Sequence, residues 1–89
     1  MKRTVSIRIS GKVQGVGFRY YTKKKAQECN VNGFVQNKAD GSVYIEASGG
    51  DIDINTFIDW CKKGPDWARV LDIKISNLPN REWDGFNVR

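Results

Sequence analysis

The order of hydrophobic patterns along the 89-residue chain predicts an α+β sandwich with the element sequence β-α-β-β-α-β and a short extra strand near the C-terminus. Three observations carry that reading. Two alternating apolar–polar segments are each followed by an amphipathic helical pattern. An Asp40-Gly41 turn joins the two resulting halves as a hairpin. No repeat, linker or low-complexity stretch breaks the order, so residues 1–89 are expected to form one domain.

Thr4 to Val13 alternates, with Val5, Ile7 and Ile9 on one face and Ser6, Arg8 and Ser10 on the other, which describes a strand with one buried face. Gly11 to Arg19, Gly-Lys-Val-Gln-Gly-Val-Gly-Phe-Arg, follows as a glycine-rich turn. From Arg19 to Asn30 the pattern is helical. Its stripe is Phe18, Tyr21, Thr22, Lys25/Ala26 and Cys29, and Asn30 with Asn32-Gly33 ends it. Phe34 to Asn37 reads as a short strand and Lys38-Ala39-Asp40-Gly41 as the turn. Ser42 to Ser48 then alternates, with Val43, Ile45 and Ala47 inward and Tyr44, Glu46 and Ser48 outward.

Gly49-Gly50 ends that strand, and Asp51 is expected to cap a second helix with Asp53 in its first turn. Ile54, Phe57, Ile58 and Cys61 share one face of it. Gly64-Pro65 stops the helix, and Trp67 is expected to pack over its end. Arg69 to Ser76 alternates again, with Leu71, Ile73 and Ile75 on one face. Phe86 and Val88 mark a last short strand whose pairing the sequence leaves open. Right-handed crossovers place both helices on one face of an antiparallel-type sheet and set the strand order fourth, first, third, second. This is the ferredoxin-like sandwich.

Composition narrows the chemistry. The chain carries 15 Lys and Arg against 10 Asp and Glu, a net charge of +5. Such a charge suits nucleic acid, a membrane surface or a small anion. Lys23-Lys24-Lys25 is the only dense run, and on a helix it spreads around most of the circumference, which reads as a solvated face. No apolar run approaches a membrane span, and no signal-peptide core follows Met1-Lys2-Arg3, so a cytoplasmic location is expected. Both cysteines, Cys29 and Cys61, fall on apolar helix faces and read as buried thiols. A bridge between them requires adjacent helices, and a reducing cytoplasm disfavours it. Histidine is absent, which removes Ser–His and Cys–His catalysis and most transition-metal sites. No cofactor is expected, and size alone suggests a monomer.

The glycine loop is where the sequence points to function. A strand, a turn rich in glycine and a helix start make an anion site, because free N–H groups, the positive helix end and Arg19 converge there. The strand ending at Asn37 runs parallel to the first strand, so Asn37 reaches the same sheet edge. Arginine grips a phosphoryl group, whereas asparagine positions a water but cannot take its proton at neutral pH. A site without a strong base suits a good leaving group. A carboxylic–phosphoric mixed anhydride provides one, since its carboxylate departs without protonation, and a phosphate oxygen of the substrate accepts the proton of the water.

Gly11-Lys-Val-Gln-Gly-Val-Gly-Phe-Arg19 and Gly33-Phe-Val-Gln-Asn37-x-x-Asp-Gly41 resemble the two signature segments of the acylphosphatase family. Gly64-Pro65 before Ala68-Arg69-Val70, and the closing Phe86-Asn-Val-Arg, extend the resemblance over essentially the whole chain. It implies metal-independent hydrolysis of acyl phosphates, with inorganic phosphate as product and inhibitor. By resemblance Arg19 matches the phosphate-binding arginine and Asn37 the water-orienting asparagine. The N–H groups of Gln14, Gly15, Val16, Gly17 and Phe18, with Arg19, match the phosphate cradle. Phe34 stands where many members have tryptophan, and Gly17 occupies a variable position where it is expected to loosen the loop.

Two other readings share these features. RNA-recognition domains have the same element order but stack bases on aromatics of their first and third strands. Here those strands expose only one aromatic, Tyr44, so nucleic acid is not an expected partner. A carbamoyl-phosphate-handling module of a hydrogenase maturation protein also resembles the chain, and the length of 89 residues favours a stand-alone enzyme.

Overall fold

The alternating segments pair into one five-stranded sheet, seen in a computed structural model that describes residues 1–89. In chain order the elements are β1 (Lys2–Lys12), α1 (Phe18–Glu28), β2 (Asn32–Asn37), β3 (Val43–Gly50), α2 (Asp51–Lys63), β4 (Arg69–Leu78) and β5 (Phe86–Val88). The sheet order is β4-β1-β3-β2-β5, so the ferredoxin-like arrangement of the first four strands is borne out. β5 takes the open edge and pairs parallel to β2, with Gly33 opposite Phe86 and Val35 opposite Val88.

Alternation explains the core. Val5, Ile7 and Ile9 of β1 and Val43, Ile45 and Ala47 of β3 are completely buried. They meet Phe18 and Ala26 of α1 and Ile54, Phe57, Ile58 and Cys61 of α2 in one hydrophobic cluster. Each large side chain buried this way contributes about 1.5–3 kcal/mol. The stripe of α1 differs from expectation at one place: Tyr21 is exposed, while Phe18, Thr22 and Ala26 are buried. Tyr21 instead stands edge-on to Tyr20 at 5.1 Å. Asn30 has φ 61°, the left-handed stop its side chain tolerates.

Four further expectations change. Asp51 does not cap α2; it is the first helical residue, and its N–H donates to the Met1 carbonyl at 3.0 Å because β1 starts early enough to lie beside it. Trp67 does not cover the helix end but is 79% exposed. The end is sealed by Phe18, which lies so close that a Cβ on Gly64 would come within 2.6 Å of its ring. Leu71 points largely to solvent, because β4 pairs Asp72 with Ser10 but Val70 with Gly11. The extra residue is a bulge, and a bulge reverses the alternation beyond it. Ser48, expected outward, is buried: Thr4 Oγ1 donates to its hydroxyl at 3.2 Å, and the Arg81 N–H donates to Thr4 at 3.2 Å as the following segment crosses that face.

The crossing segment leaves little bare aromatic surface on the outer sheet face. The Arg89 guanidinium sits 3.9 Å from the centre of the Phe34 ring, and Trp83 meets that ring edge-on at 6.1 Å. Arg8 and Lys38 lie over Tyr44 at 5.7 and 5.0 Å. Phe34 thus packs away from Asn37, on the opposite side of β2 from Val35 and the core. Cys29 and Cys61 are free and buried, and burial pushes both thiols up from their ordinary value.

Candidate active site

The loop between β1 and α1 exposes its amide groups because two glycines turn it the wrong way for other residues. Gly15 has φ 74° and Gly17 has φ 79°, with Val16 between them on the ordinary side. Alternation of this kind gathers successive N–H groups around a concavity that fits an anion. None of the N–H groups from Gln14 to Tyr20 donates to a backbone carbonyl, and no side chain accepts from them. Gly17 is the N-cap of α1, so it sets the helix start in a conformation natural to glycine rather than loosening the loop.

The first turn of α1 carries no acidic residue to offset the positive helix end. Phe18 anchors that turn: it is buried and lies 5.7 Å from the Trp60 ring. Arg19 follows, half-buried, and one of its donors is held by the main-chain oxygen of Arg89 at 3.1 Å. Its remaining donors have no partner in the chain.

Asn37 closes the arrangement from β2. Together with Arg19, Gly15, Gly17, Phe18, Tyr20, Val13 and Val88 it lines a cavity of about 330 Å³. Its Oδ1 is buried and makes no hydrogen bond. A buried polar oxygen left without a partner is uncommon and costs free energy, and here it belongs to a residue of the cavity lining. The lining residues include no carboxylate, thiol or imidazole.

The hairpin after Asn37 is fixed by side-chain hydrogen bonds. The Asp40 carboxylate accepts from the Ser42 hydroxyl at 2.6 Å and the Ser42 N–H at 2.9 Å, and Arg8 donates to it at 3.2 Å. These contacts keep its carboxyl below the ordinary value, the Ser42 hydroxyl having the largest effect. Gln14 reaches across from the glycine loop, and its Nε2 donates to the carbonyls of Lys38 and Ser42 at 2.8 and 2.9 Å.

The structure therefore brings Gly15, Gly17, Phe18, Arg19 and Asn37 into one cavity. Gln14 and Val16 belong to the same loop, but their side chains do other work: Gln14 ties the loop to the hairpin, and Val16 packs against the core. Sequence reasoning missed Val13 and Val88 as walls. Val88 carries no local signal, because its place depends on which sheet edge β5 joins.

Such a cavity can hold a tetrahedral anion on main-chain N–H groups and a guanidinium while an amide oxygen directs a neutral nucleophile. Comparison with known proteins agrees in size and kind. The acylphosphatase family model matches residues 5–88. An acylphosphatase of Oceanobacillus iheyensis is 44% identical over 89 residues, covering 98% of each chain. The structure of an acylphosphatase from Coxiella burnetii superimposes with a TM-score of 0.95 at 33% identity, covering 99% of this chain and 93% of that one. The crystal structure of acylphosphatase from Bacillus subtilis gives 0.94 at 32% identity, covering 100% and 99%.

Proposed function

The chain belongs to the acylphosphatase family and hydrolyses acyl phosphates, and we propose that it does so with Arg19 and the glycine loop holding the phosphoryl group while Asn37 aims the attacking water. The observation that carries this reading is the convergence of Asn37, Arg19 and the glycine loop with its open N–H groups on one cavity.

In this mechanism the phosphoryl oxygens accept from the N–H groups of Gln14 to Phe18 and from Arg19. The Asn37 oxygen accepts one hydrogen of a water placed opposite the acyl oxygen. A bond forms between the water oxygen and phosphorus as the bond from phosphorus to the acyl oxygen breaks. The carboxylate leaves with the bonding electrons, and a phosphoryl oxygen takes the proton of the water. No side chain serves as a base, which fits a cavity lined without carboxylate, thiol or imidazole. Positioning and charge stabilisation supply the acceleration, and no metal ion takes part in it.

A monomer is proposed on the size of the chain alone. The two free thiols suit a reducing cytoplasm. Benzoyl phosphate hydrolysis by the wild type and Arg19→Ala, assayed side by side in chelator-treated buffer, tests the reading. The wild type is expected to turn over and Arg19→Ala to lose about 10²–10³-fold, with inorganic phosphate a competitive inhibitor. An inactive wild type in chelator, or an unaffected Arg19→Ala, would overturn it.

A further inference from the structure

The lysine run on α1 is not one uniform solvated face. Lys25 pairs with Glu28 at 3.7 Å. Lys23 and Lys24 have no carboxylate partner. Both line a cavity of about 430 Å³ whose other walls are Tyr20, Gln27 and Val88. Tyr20 and Val88 also line the cavity that contains Arg19 and Asn37. The two cavities therefore meet along a common wall, one aromatic and one aliphatic side chain wide.

Helical geometry fixes the spacing. Arg19 and Lys23 are one turn apart on the same side of α1, about 6 Å along its axis. A ligand that places its phosphoryl group at Arg19 and extends past Tyr20 enters the cavity that Lys23 and Lys24 line. An anion in this cavity would meet two positive side chains that no carboxylate of the chain pairs with. The amide of Gln27 adds a neutral donor, and no carboxylate lines this second cavity.

We propose that the Lys23–Lys24 cavity receives the far end of the acyl group and selects acyl phosphates that carry a second anionic group. This rests on the acyl phosphate reading of the first cavity and names the substrate class within it. The Tyr20–Val88 wall carries the body of the acyl group, and the lysines read its charge. Tyr20 is 65% exposed, so the wall is a rim that admits groups of different width.

The test compares two rigid substrates, 4-carboxybenzoyl phosphate and 4-methylbenzoyl phosphate, by the ratio of their kcat/KM values. The ratio is measured on the wild type, on Lys23→Gln/Lys24→Gln and on Lys25→Gln. The preference for the carboxylate is expected to fall roughly three- to tenfold in the double variant, as for partly screened surface charges, and to stay at the wild-type value in Lys25→Gln. An unchanged ratio in the double variant, or an equal fall in Lys25→Gln, would overturn the inference, the latter by showing that only the general field of the helix is read. A wild type that fails on 4-methylbenzoyl phosphate would instead overturn the acyl phosphate reading, and this inference with it.

Discussion

The fold contains two strand-to-helix junctions in equivalent positions, and only the first starts its helix without an acidic residue. Between β1 and α1 a loop of five residues, Val13 to Gly17, keeps its amides open, and the helix begins without an acidic residue. Between β3 and α2 there is no loop at all: β3 ends at Gly50 and α2 begins at Asp51. That helix carries Asp51 and Asp53 in its first turn, and the Asp51 N–H is taken by the Met1 carbonyl. Both junctions contain paired glycines and a helix N-terminus, so neither feature makes a site by itself. The difference lies in whether the chain supplies its own negative charge and acceptors. Where it does, the helix is stabilised; where it does not, the same dipole is left for a ligand.

Asn37→Ala is expected to have the largest effect on this contrast, because it removes the partner that only the first junction possesses. Loss of about 10²–10³-fold in kcat is expected, with the inhibition constant for inorganic phosphate changed much less. Steady-state kinetics with phosphate titrations check it, and a variant that mainly weakened phosphate binding would reassign Asn37.

Giving the first junction the acidic turn of the second comes next. Tyr20→Asp places a carboxylate in the first turn of α1, beside the phosphoryl position. Relative to the size-matched Tyr20→Asn, it is expected to lower kcat/KM about tenfold, and the deficit is expected to shrink as salt is added.

The reverse exchange is milder. Asp51→Asn with Asp53→Asn strips the second junction of its charges and is expected to cost about 0.6–2 kcal/mol of stability, seen as a Tm lower by several degrees. Benzoyl phosphate turnover at 25 °C is expected to stay at the wild-type rate. A gain of phosphate binding at α2 would break the comparison, since it would make loop geometry dispensable.

The smallest effect concerns the hairpin that supports Asn37. Hydrogen bonds from Ser42, and Arg8 beside it, lower the Asp40 carboxyl on folding. A carboxyl lowered on folding contributes stability that is present above its unfolded value, near pH 4, and lost as pH falls through its folded value. The Tm of Asp40→Asn is therefore expected to lie slightly below wild type at neutral pH, and the gap to close in acid. Thermal denaturation followed by circular dichroism from pH 7 to pH 2.5 checks the sign.

Much of the first junction is legible in the amino-acid sequence. The alternation of Val5, Ile7 and Ile9, the three glycines and Arg19 lie in one stretch, and each acts through local rules of pleat, turn and helix start. Asn37 is legible by one further step, since strand direction alone brings its end to the same edge. Trp67 and Leu71 mislead for opposite reasons. Trp67 is a large apolar ring whose expected place is filled by Phe18 against Gly64. Leu71 sits in a correct strand, but a bulge against Ser10 and Gly11 turns it outward.

The sequence by itself determined the element order, the apolar faces and the chemical groups offered to a phosphoryl anion. Those follow from residue type and from periods of two and of three to four residues, which need no partner to be read. Tertiary structure alone decided the rest. It seated β5 beside β2 and so brought Val88 to the cavity, buried the Asn37 oxygen without a partner, and set the lysine cavity beside that of Arg19 and Asn37, with Tyr20 in both linings. Each of these depends on contacts between residues far apart in the chain, and pattern within a segment carries no information about which distant edge or side chain will meet it.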